Sequence, residues 1–495
     1  MWSRSLPWTR SYRVVGPSRR EPSPLLPDPR TRSPPVTTTA PHSTAEPDAT
    51  PAGPDAPANS KGRVIFASLI GTSIEFYDFY VYATAAVLVF PAVFFSALDG
   101  GTSQLLASFA VFGVAFVARP LGSIVFGHYG DRVGRKGTLV ASLLTMGVAT
   151  FLISLLPPSS TPGWSVLAPA LLVLMRFCQG LGLGGEWSGA ALLATENAPA
   201  GKRAVWGTFP QLGAPIGFIL ANTTFLVLAE TLTDAQFAAW GWRVPFLASA
   251  LLVVVGLWVR LRLVETPAFQ KVVETGSVAK LPVAQVFRSS WRQIVLGTFI
   301  MLATYVLFYL MTTFTLTFGT ASSDPAAEGA PGLGYERTDF LVMLIVGVVF
   351  FGIFTLVSGP LAERFGRRKH LVWTTVAIIA FGALFVPLFA GGTVGVMALL
   401  VVGFTLMGLT FGPMAAILPE LFPANVRYTG SAIAYNLSSI LGAAVAPFIA
   451  VALWERADGS PVLVGVYLSA MSVLTLVALL LSKETKDVDY TDNVS

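Results

Sequence analysis

From Arg63 onward, apolar stretches of helical length follow one another with short interruptions, centred near residues 77, 115, 147, 180, 215, 252, 304, 349, 379, 406, 440 and 471. About 20 apolar residues rising 1.5 Å each cross the hydrocarbon core of a bilayer. Lipid offers no water to backbone N–H and C=O groups, so runs of this kind must close their hydrogen bonds internally, as helices. Twelve of them commit the chain to an all-α membrane protein with twelve transmembrane helices. An ordinary soluble domain carries roughly 25% charged residues; here 12% are charged, 54% are apolar and the mean hydropathy is +0.67.

Assigning the connections alternately to two sides separates the charges. The even-numbered loops carry Arg132, Arg135 and Lys136, then Lys202 and Arg203, then Arg262, Lys271, Lys280, Arg288 and Arg292, then Arg364, Arg367, Arg368 and Lys369, then Arg427. The opposite loops include "LPPSSTPGW" and "AGGTVG", which have no charge. The positive-inside rule then places both termini in the cytoplasm and the protein in the plasma membrane. A net charge of +5 dispersed in this way is a topology record and not a nucleic-acid surface. Residues 1–60, rich in Pro, Ser, Thr and Arg, cannot bury enough apolar surface to fold and are expected to form a disordered cytoplasmic tail. The lone Cys178 excludes an intramolecular disulfide, and His42, His128 and His370 stand in separate segments without metal-ligand spacing, so no metal and no cofactor is expected.

The chain also repeats itself. "GHYGDRVGRKGTL" after the second run is echoed by "GPLAERFGRRKHL" after the eighth, and "ENAPAGKR" after the fourth by "ELFPANVR" after the tenth. Six spans written twice make two pseudo-symmetric halves, an architecture of transporters. The expected organisation is a six-helix bundle over residues 61–262, a cytoplasmic linker over 263–290, a second bundle over 291–483 and a cytoplasmic tail over 484–495. In the repeated loop, Gly127, Gly130 and Gly134 allow a tight turn. Asp131 is free to reach the N-terminal end of a neighbouring helix or an arginine of the other half, which favours one closed state.

Five charges lie inside the spans: Glu75 and Asp78 in "GTSIEFYDFYVY" of span one, Arg119 in span two, Arg176 and Glu186 in span four. Each costs roughly 2.5–3.5 kcal/mol at a helix centre and is a functional residue by default. Counting along the helices puts Asp78 roughly 22 Å from the cytoplasmic end, at a depth where it can meet Arg176, with Arg119 nearer Glu75 and Glu186. A carboxylate that gains and loses a cationic partner suits proton loading and release. Glu75, on the same face as Asp78, is expected to neutralise Arg119. "GLGLGGEW" has no strand before it and is not a dinucleotide loop. Its Gly180-x-x-x-Gly184, like Gly213-x-x-x-Gly217, offers a small face for close helix packing, and Pro215 is expected to kink span five.

The duplicated loops resemble those of the major facilitator superfamily. "IEFYDFYVY", "RFCQGLGLGGEW", "PQLGAPIGF", "ETPAF" and "ELFPANVRYTGSAIAYN" together resemble its metabolite:proton symporter family, which includes carriers of proline and betaine, 2-oxoglutarate, citrate and shikimate. The likeness spans residues 63–483 and departs from the pattern at Glu363, which stands where the first repeat has Asp131. It implies a charge-relay latch that holds the cytoplasmic side shut, formed by Asp131, Arg132, Arg135, Lys136, Glu196 and Arg203 with Glu363, Arg367, Arg368, Glu420 and Arg427. It also implies pairing of Asp78 with Arg176, as an Asp of the first span pairs with an Arg of the fourth in proton-coupled sugar carriers.

The C-terminal half buries no charge within its spans, only polar groups such as Tyr305, Thr312 and Tyr435. Protons are therefore expected to be handled by Asp78, Arg176, Glu75, Arg119 and Glu186. Substrate is expected between the halves, against Gln179, Gln211, Tyr309 and Asn436 with Arg176 or Arg119. The expected activity is uptake, by a monomer and by alternating access, of a small carboxylate-bearing metabolite or zwitterion together with a proton. A proton-driven exporter of amphipathic compounds is the alternative, and a membrane enzyme is disfavoured because no nucleophile and base pair is present.

Overall fold

The structure, a computed structural model, describes residues 61–99, 101–261, 282–324 and 330–488. The expected N-terminal tail and most of the expected linker lie outside the described residues. Those described form helices joined by short connections, with no strand among them. Among the described residues, eleven helical segments are long and apolar enough to cross a membrane. The twelfth, span nine, is divided into Arg367–Ala383 and Phe385–Ala390. Pro387 explains the division: it has no N–H to give the Ala383 carbonyl, and the helix restarts around it.

The halves mirror each other. In the first, span four (Leu167–Glu196) packs on spans two (Gly101–Arg132) and three (Arg135–Leu155), and span one (Lys61–Leu88) on span five. In the second, span eight (Arg337–Phe365) packs on span ten (Gly392–Phe411), and span twelve (Val462–Leu481) on spans seven and nine. Between the halves, span two meets span eleven and span eight meets span five, the same contact written twice. Large apolar side chains such as Val117, Leu251, Val254 and Trp258 point outward, as a lipid-facing perimeter requires.

Both small-residue faces are used. A Cβ at Gly180 or Gly184 would overlap span two at Ala115 and Arg119, and one at Gly213 or Gly217 would overlap span one at Thr72 and Phe76. Span five breaks at Leu212, between Arg203–Gln211 and Gly213–Thr231, where Pro215 leaves the Gln211 carbonyl without its helical donor. Spans seven and eleven carry π-helical turns at Leu310–Phe314 and Ile440–Ala444, which follow Tyr309 closely and Tyr435 by one turn. Such bulges re-aim side chains and concentrate at functional sites.

Candidate functional site

The face bearing the duplicated loops is shut by contacts between the two halves. Gly134 (φ 129°, ψ 158°) and Gly366 (φ 91°, ψ 152°) occupy the same place in the two repeats, in a region closed to other residues. Each turns the chain so that the acid three residues earlier reaches across to the other half. Asp131 accepts from the Tyr428 N–H at 3.2 Å and from the Thr429 N–H and Oγ1 at 2.8 and 2.7 Å, capping the helix Arg427–Ser439. Glu363 accepts from the Ala204 N–H at 2.6 Å, capping Arg203–Gln211. A carboxylate at a helix N-terminus meets both orphan donors and the positive end of the dipole.

The other residues expected at the gate fall around these two contacts or turn away from them. Arg367 holds Glu363 at 2.8 Å and Glu420 at 3.3 Å, and Arg427 is buried with its Nε toward the Phe422 carbonyl. Arg368 turns away, donating to the Leu479 and Leu480 carbonyls at the end of span twelve. Arg132 is exposed, while Lys136 and Glu196 are half-buried. The Arg135 side chain lies outside the described residues. Sequence reasoning missed the segment after span twelve. There Glu484 accepts from the N–H groups of Arg367 and Arg368 at 2.8 and 3.1 Å, Thr485 donates to Glu420 at 2.6 Å, and the Val488 carbonyl accepts from Arg203 of the first half.

Deeper in, a second layer crosses between the halves. The Trp187 and Tyr435 rings stack face to face, centroids 3.9 Å apart and 5° from parallel. Trp187 donates to Gln211 at 2.8 Å, and Gln211 donates to the Phe411 carbonyl at 2.7 Å. Asn436 donates to the Gly184 carbonyl at 2.9 Å. Gln211 and Asn436, expected to meet substrate, therefore join backbone to side chain across the halves. The reason is local: glycine lets span eleven approach span four closely at Gly184, and span ten ends at Phe411, which brings both carbonyls within reach of an amide.

Above this layer lies a cavity of about 30 Å³, room for a water or two. The first half contributes Phe76, Phe79, Tyr80, Arg119 and Ala214 to its wall. The second contributes Tyr305, Phe308, Tyr309 and Tyr435, closed by Met301, Met407 and Phe411. Of the four expected substrate residues, only Tyr309 lines it. Arg119 is 5% exposed, rests over the Phe79 and Phe116 rings at 5.0 and 5.2 Å, and makes no hydrogen bond or ion pair; its Nε and the Tyr80 hydroxyl are both unpartnered. Glu75, expected to neutralise Arg119, lies close enough for the two charges to attract but makes no ion pair with it, and Glu75 Oε2 has no hydrogen-bond partner.

Asp78 and Arg176 do not touch either. Asp78 accepts from Thr150 at 3.0 Å and, in a short contact, from Ser249. Arg176 is held by aromatic faces, Tyr82 at 4.0 Å and Phe112 at 4.8 Å, and donates to Gln179 at 3.2 Å. Gln179 in turn donates to Thr150 at 2.7 Å. Carboxylate and guanidinium are thus the ends of a hydrogen-bonded chain, Asp78 to Thr150 to Gln179 to Arg176. The rings of spans one and two take the cation because Arg stacks well on aromatic surfaces.

Glu186 has a partner the sequence did not disclose. Arg260, at the end of span six (Arg243–Leu261), is 2% exposed and forms a bidentate pair with Glu186, joined by Ser142 at 2.9 Å. A Cβ at Gly71 would overlap the guanidinium, so a larger residue there would have to push Arg260 off its partner. Breaking a buried pair from one side costs about 3–5 kcal/mol, more than removing both charges. Arg260→Met is accordingly expected to lower the unfolding temperature of the detergent-solubilised protein sharply, and Arg260→Met with Glu186→Gln to recover much of the loss. Equal losses in thermal denaturation would refute a mutual dependence.

The Major Facilitator Superfamily profile matches residues 68–447. An inner membrane metabolite transport protein of Escherichia coli K12, YhjE, is 57% identical over 87% of this chain and 96% of its own. The shikimate transporter of the same organism is 34% identical, covering 86% and 95%. The proline/betaine transporter of Salmonella typhimurium is 31% identical, covering 86% and 83%. Among solved structures, the proton:xylose symporter XylE superposes with a TM-score of 0.68 at 17% identity, over 86% of this chain and 98% of that one, a likeness of fold.

Proposed function

Because this chain belongs to the major facilitator superfamily, whose members transport and do not catalyse, we propose that it is a proton-coupled carrier, acting as a monomer in the plasma membrane, that takes up a small carboxylate-bearing metabolite by alternating access. The observation that carries this reading is Arg119: a buried guanidinium that no carboxylate holds by hydrogen bond or ion pair, on the wall of the cavity between the halves. A buried cation left unpaired is costly, and a substrate carboxylate is the partner that would relieve it. The names of relatives support the class, since shikimate, proline and betaine all carry a carboxylate.

In this reading the shut loop face is cytoplasmic, in agreement with the positive-inside pattern, and Asp78 loads the proton. Charge balance supports one proton per monoanion. Inside the first half, three acids, Glu75, Asp78 and Glu186, are buried along with three arginines, Arg119, Arg176 and Arg260. With all six ionised the empty site is neutral. A proton on Asp78 leaves one positive charge, which a monoanion cancels, so the loaded site is neutral as well. A dianion would leave an uncompensated charge in low dielectric. Arg260 makes this balance close, as the five charges legible in the sequence did not.

The aromatic wall favours one rival, an exporter of amphipathic compounds, but Arg119 would repel the cations such carriers handle. Uptake into proteoliposomes distinguishes them: a carboxylate should enter faster as external pH falls, and Arg119→Gln should reduce entry roughly 100-fold, the scale of truncating one partner of a buried charge pair. Uptake unaffected by Arg119→Gln would remove the carboxylate site.

A further inference from the structure

The two copies of the duplicated loop differ at the molecular perimeter. Aligned on Gly134 and Gly366, the first has Arg132, Val133, Gly137 and Ala141 where the second has Arg364, Phe365, Lys369 and Trp373, and all of these are exposed. On span nine, Lys369, Trp373, Val376, Ala377 and Ala380 recur at helical spacing as one outward stripe, the side that meets lipid. Span three carries the same stripe at Gly137, Ala141, Leu144 and Val148, without cation or ring. A Cβ at Gly137 would meet nothing within 4 Å, so packing does not dictate the residue at this place in the repeat. The lysine and tryptophan of the second copy answer to something outside the fold.

In that copy the side chains are already assembled. Lys369 Nζ lies over the Trp373 ring at 5.1 Å, the Trp373 and Phe365 rings are 5.6 Å apart, and the Arg364 guanidinium rests over Phe365 at 5.3 Å. Among the described residues no carboxylate pairs with Arg364 or Lys369. The neighbouring acids are taken, Glu363 by Arg367 and the Ala204 N–H, Glu484 by the N–H groups of Arg367 and Arg368. Counted from Arg367 at 1.5 Å per residue, Lys369 stands about 3 Å and Trp373 about 9 Å into span nine. At such depths tryptophan settles between headgroups and chains, and a lysine stem reaches back to the phosphates.

We propose that this patch binds an anionic phospholipid of the leaflet on the loop side, its phosphate between Arg364 and Lys369 and its glycerol and upper chains against Trp373 and Phe365. A lipid fits better than a soluble anion because exposed ring makes up half of the patch, which runs on into the apolar stripe of span nine; an amphiphile covers both parts at once. Net charge decides among lipids, since a zwitterionic headgroup would bring a third cation beside the two already there.

Purified full-length protein in detergent, titrated with dioleoyl phosphatidylglycerol or dioleoyl phosphatidylcholine, reports bound lipid by native mass spectrometry. Wild type should hold one phosphatidylglycerol at concentrations about tenfold below those needed for phosphatidylcholine, and Lys369→Gln with Trp373→Leu should remove that preference. The reciprocal transplant, Val133→Phe, Gly137→Lys and Ala141→Trp, should add a second preferred lipid on the other half, a gain that damaged folding does not produce. Equal retention of the two lipids by wild type, an undiminished preference in the double variant, or a transplant that retains no more than wild type would overturn the proposal. So would displacement of phosphatidylglycerol by an equimolar amount of glycerol phosphate, which would make the site one for soluble anions. Counting lipids involves no transport, so the outcome is independent of the carboxylate reading.

Discussion

Asp78→Asn is expected to abolish substrate accumulation driven by a proton gradient while leaving exchange across an equilibrated membrane intact. A symporter moving one proton per substrate concentrates it up to about tenfold per pH unit, since 1.4 kcal/mol corresponds to that factor. Asn keeps the size and one of the two acceptor oxygens that Thr150 and Ser249 use, as a protonated carboxyl does, but holds no titratable proton. The internal-to-external ratio should therefore fall to one at any imposed gradient. Exchange needs only that the loaded carrier reorient, and the Asn variant mimics the protonated state. Proteoliposomes loaded at two internal pH values measure both activities, and accumulation by the variant with wild-type pH dependence would move the proton site elsewhere. Thr150→Val should give a milder defect, because it cuts the chain from Asp78 to Gln179 without removing the carboxylate.

Asp131→Asn is expected to open the cytoplasmic face. The carboxylate takes three hydrogen bonds from Tyr428 and Thr429, and bonds to a charged group contribute about 1.5–3 kcal/mol each. Asn retains one acceptor and loses the charge at the helix N-terminus, so a shift of about 2–3 kcal/mol is a reasonable scale, roughly 30- to 150-fold in the ratio of outward- to inward-facing states. Glu363→Gln weakens the mirror contact at Ala204, but Arg367 still bridges to Glu420 there, and its effect should be smaller. Spin-label distances across each face measure the populations. Distributions unchanged in Asp131→Asn would separate this contact from the gate.

The fold was legible because its two determinants, apolar runs and their duplication, are written in residue types alone. Asp131 was legible for the same reason: a loop that recurs with its acid and glycine in step needs a common geometry. Asp78, Arg119, Arg176 and Glu186 stood out as charges in lipid, but their partners did not. Thr150 and Ser249 are hydroxyl residues of a kind scattered through every span, and Arg260 sits two positions from Arg262 in what reads as a basic loop. Gln211 and Asn436 were conspicuous as buried amides, and only coordinates reveal that nearby carbonyls claim them. The aromatic wall was hidden by abundance, since among 35 Phe and 12 Tyr nothing in the order of residues singles out Phe308 or Tyr80. The expected tail contributed Glu484 and Thr485 to the gate because a charged segment after the last span looks the same whether it is loose or docked.

Tyr435 belongs to two structures at once, the cavity wall and the stack on Trp187. A carrier must avoid slippage, the cycling of an empty or half-loaded transporter that lets protons run downhill unaccompanied. Where wall and seal are separate parts, that discipline has to be relayed between them. Here one ring serves both, so under the proposed function cargo that presses on Tyr435 would loosen the stack directly, and an empty cavity would leave the ring where the seal needs it. Fidelity of the proposed coupling would then depend on how well the cargo fills the space, and a ligand too small to move the ring would be expected to bind without being carried, as an inhibitor.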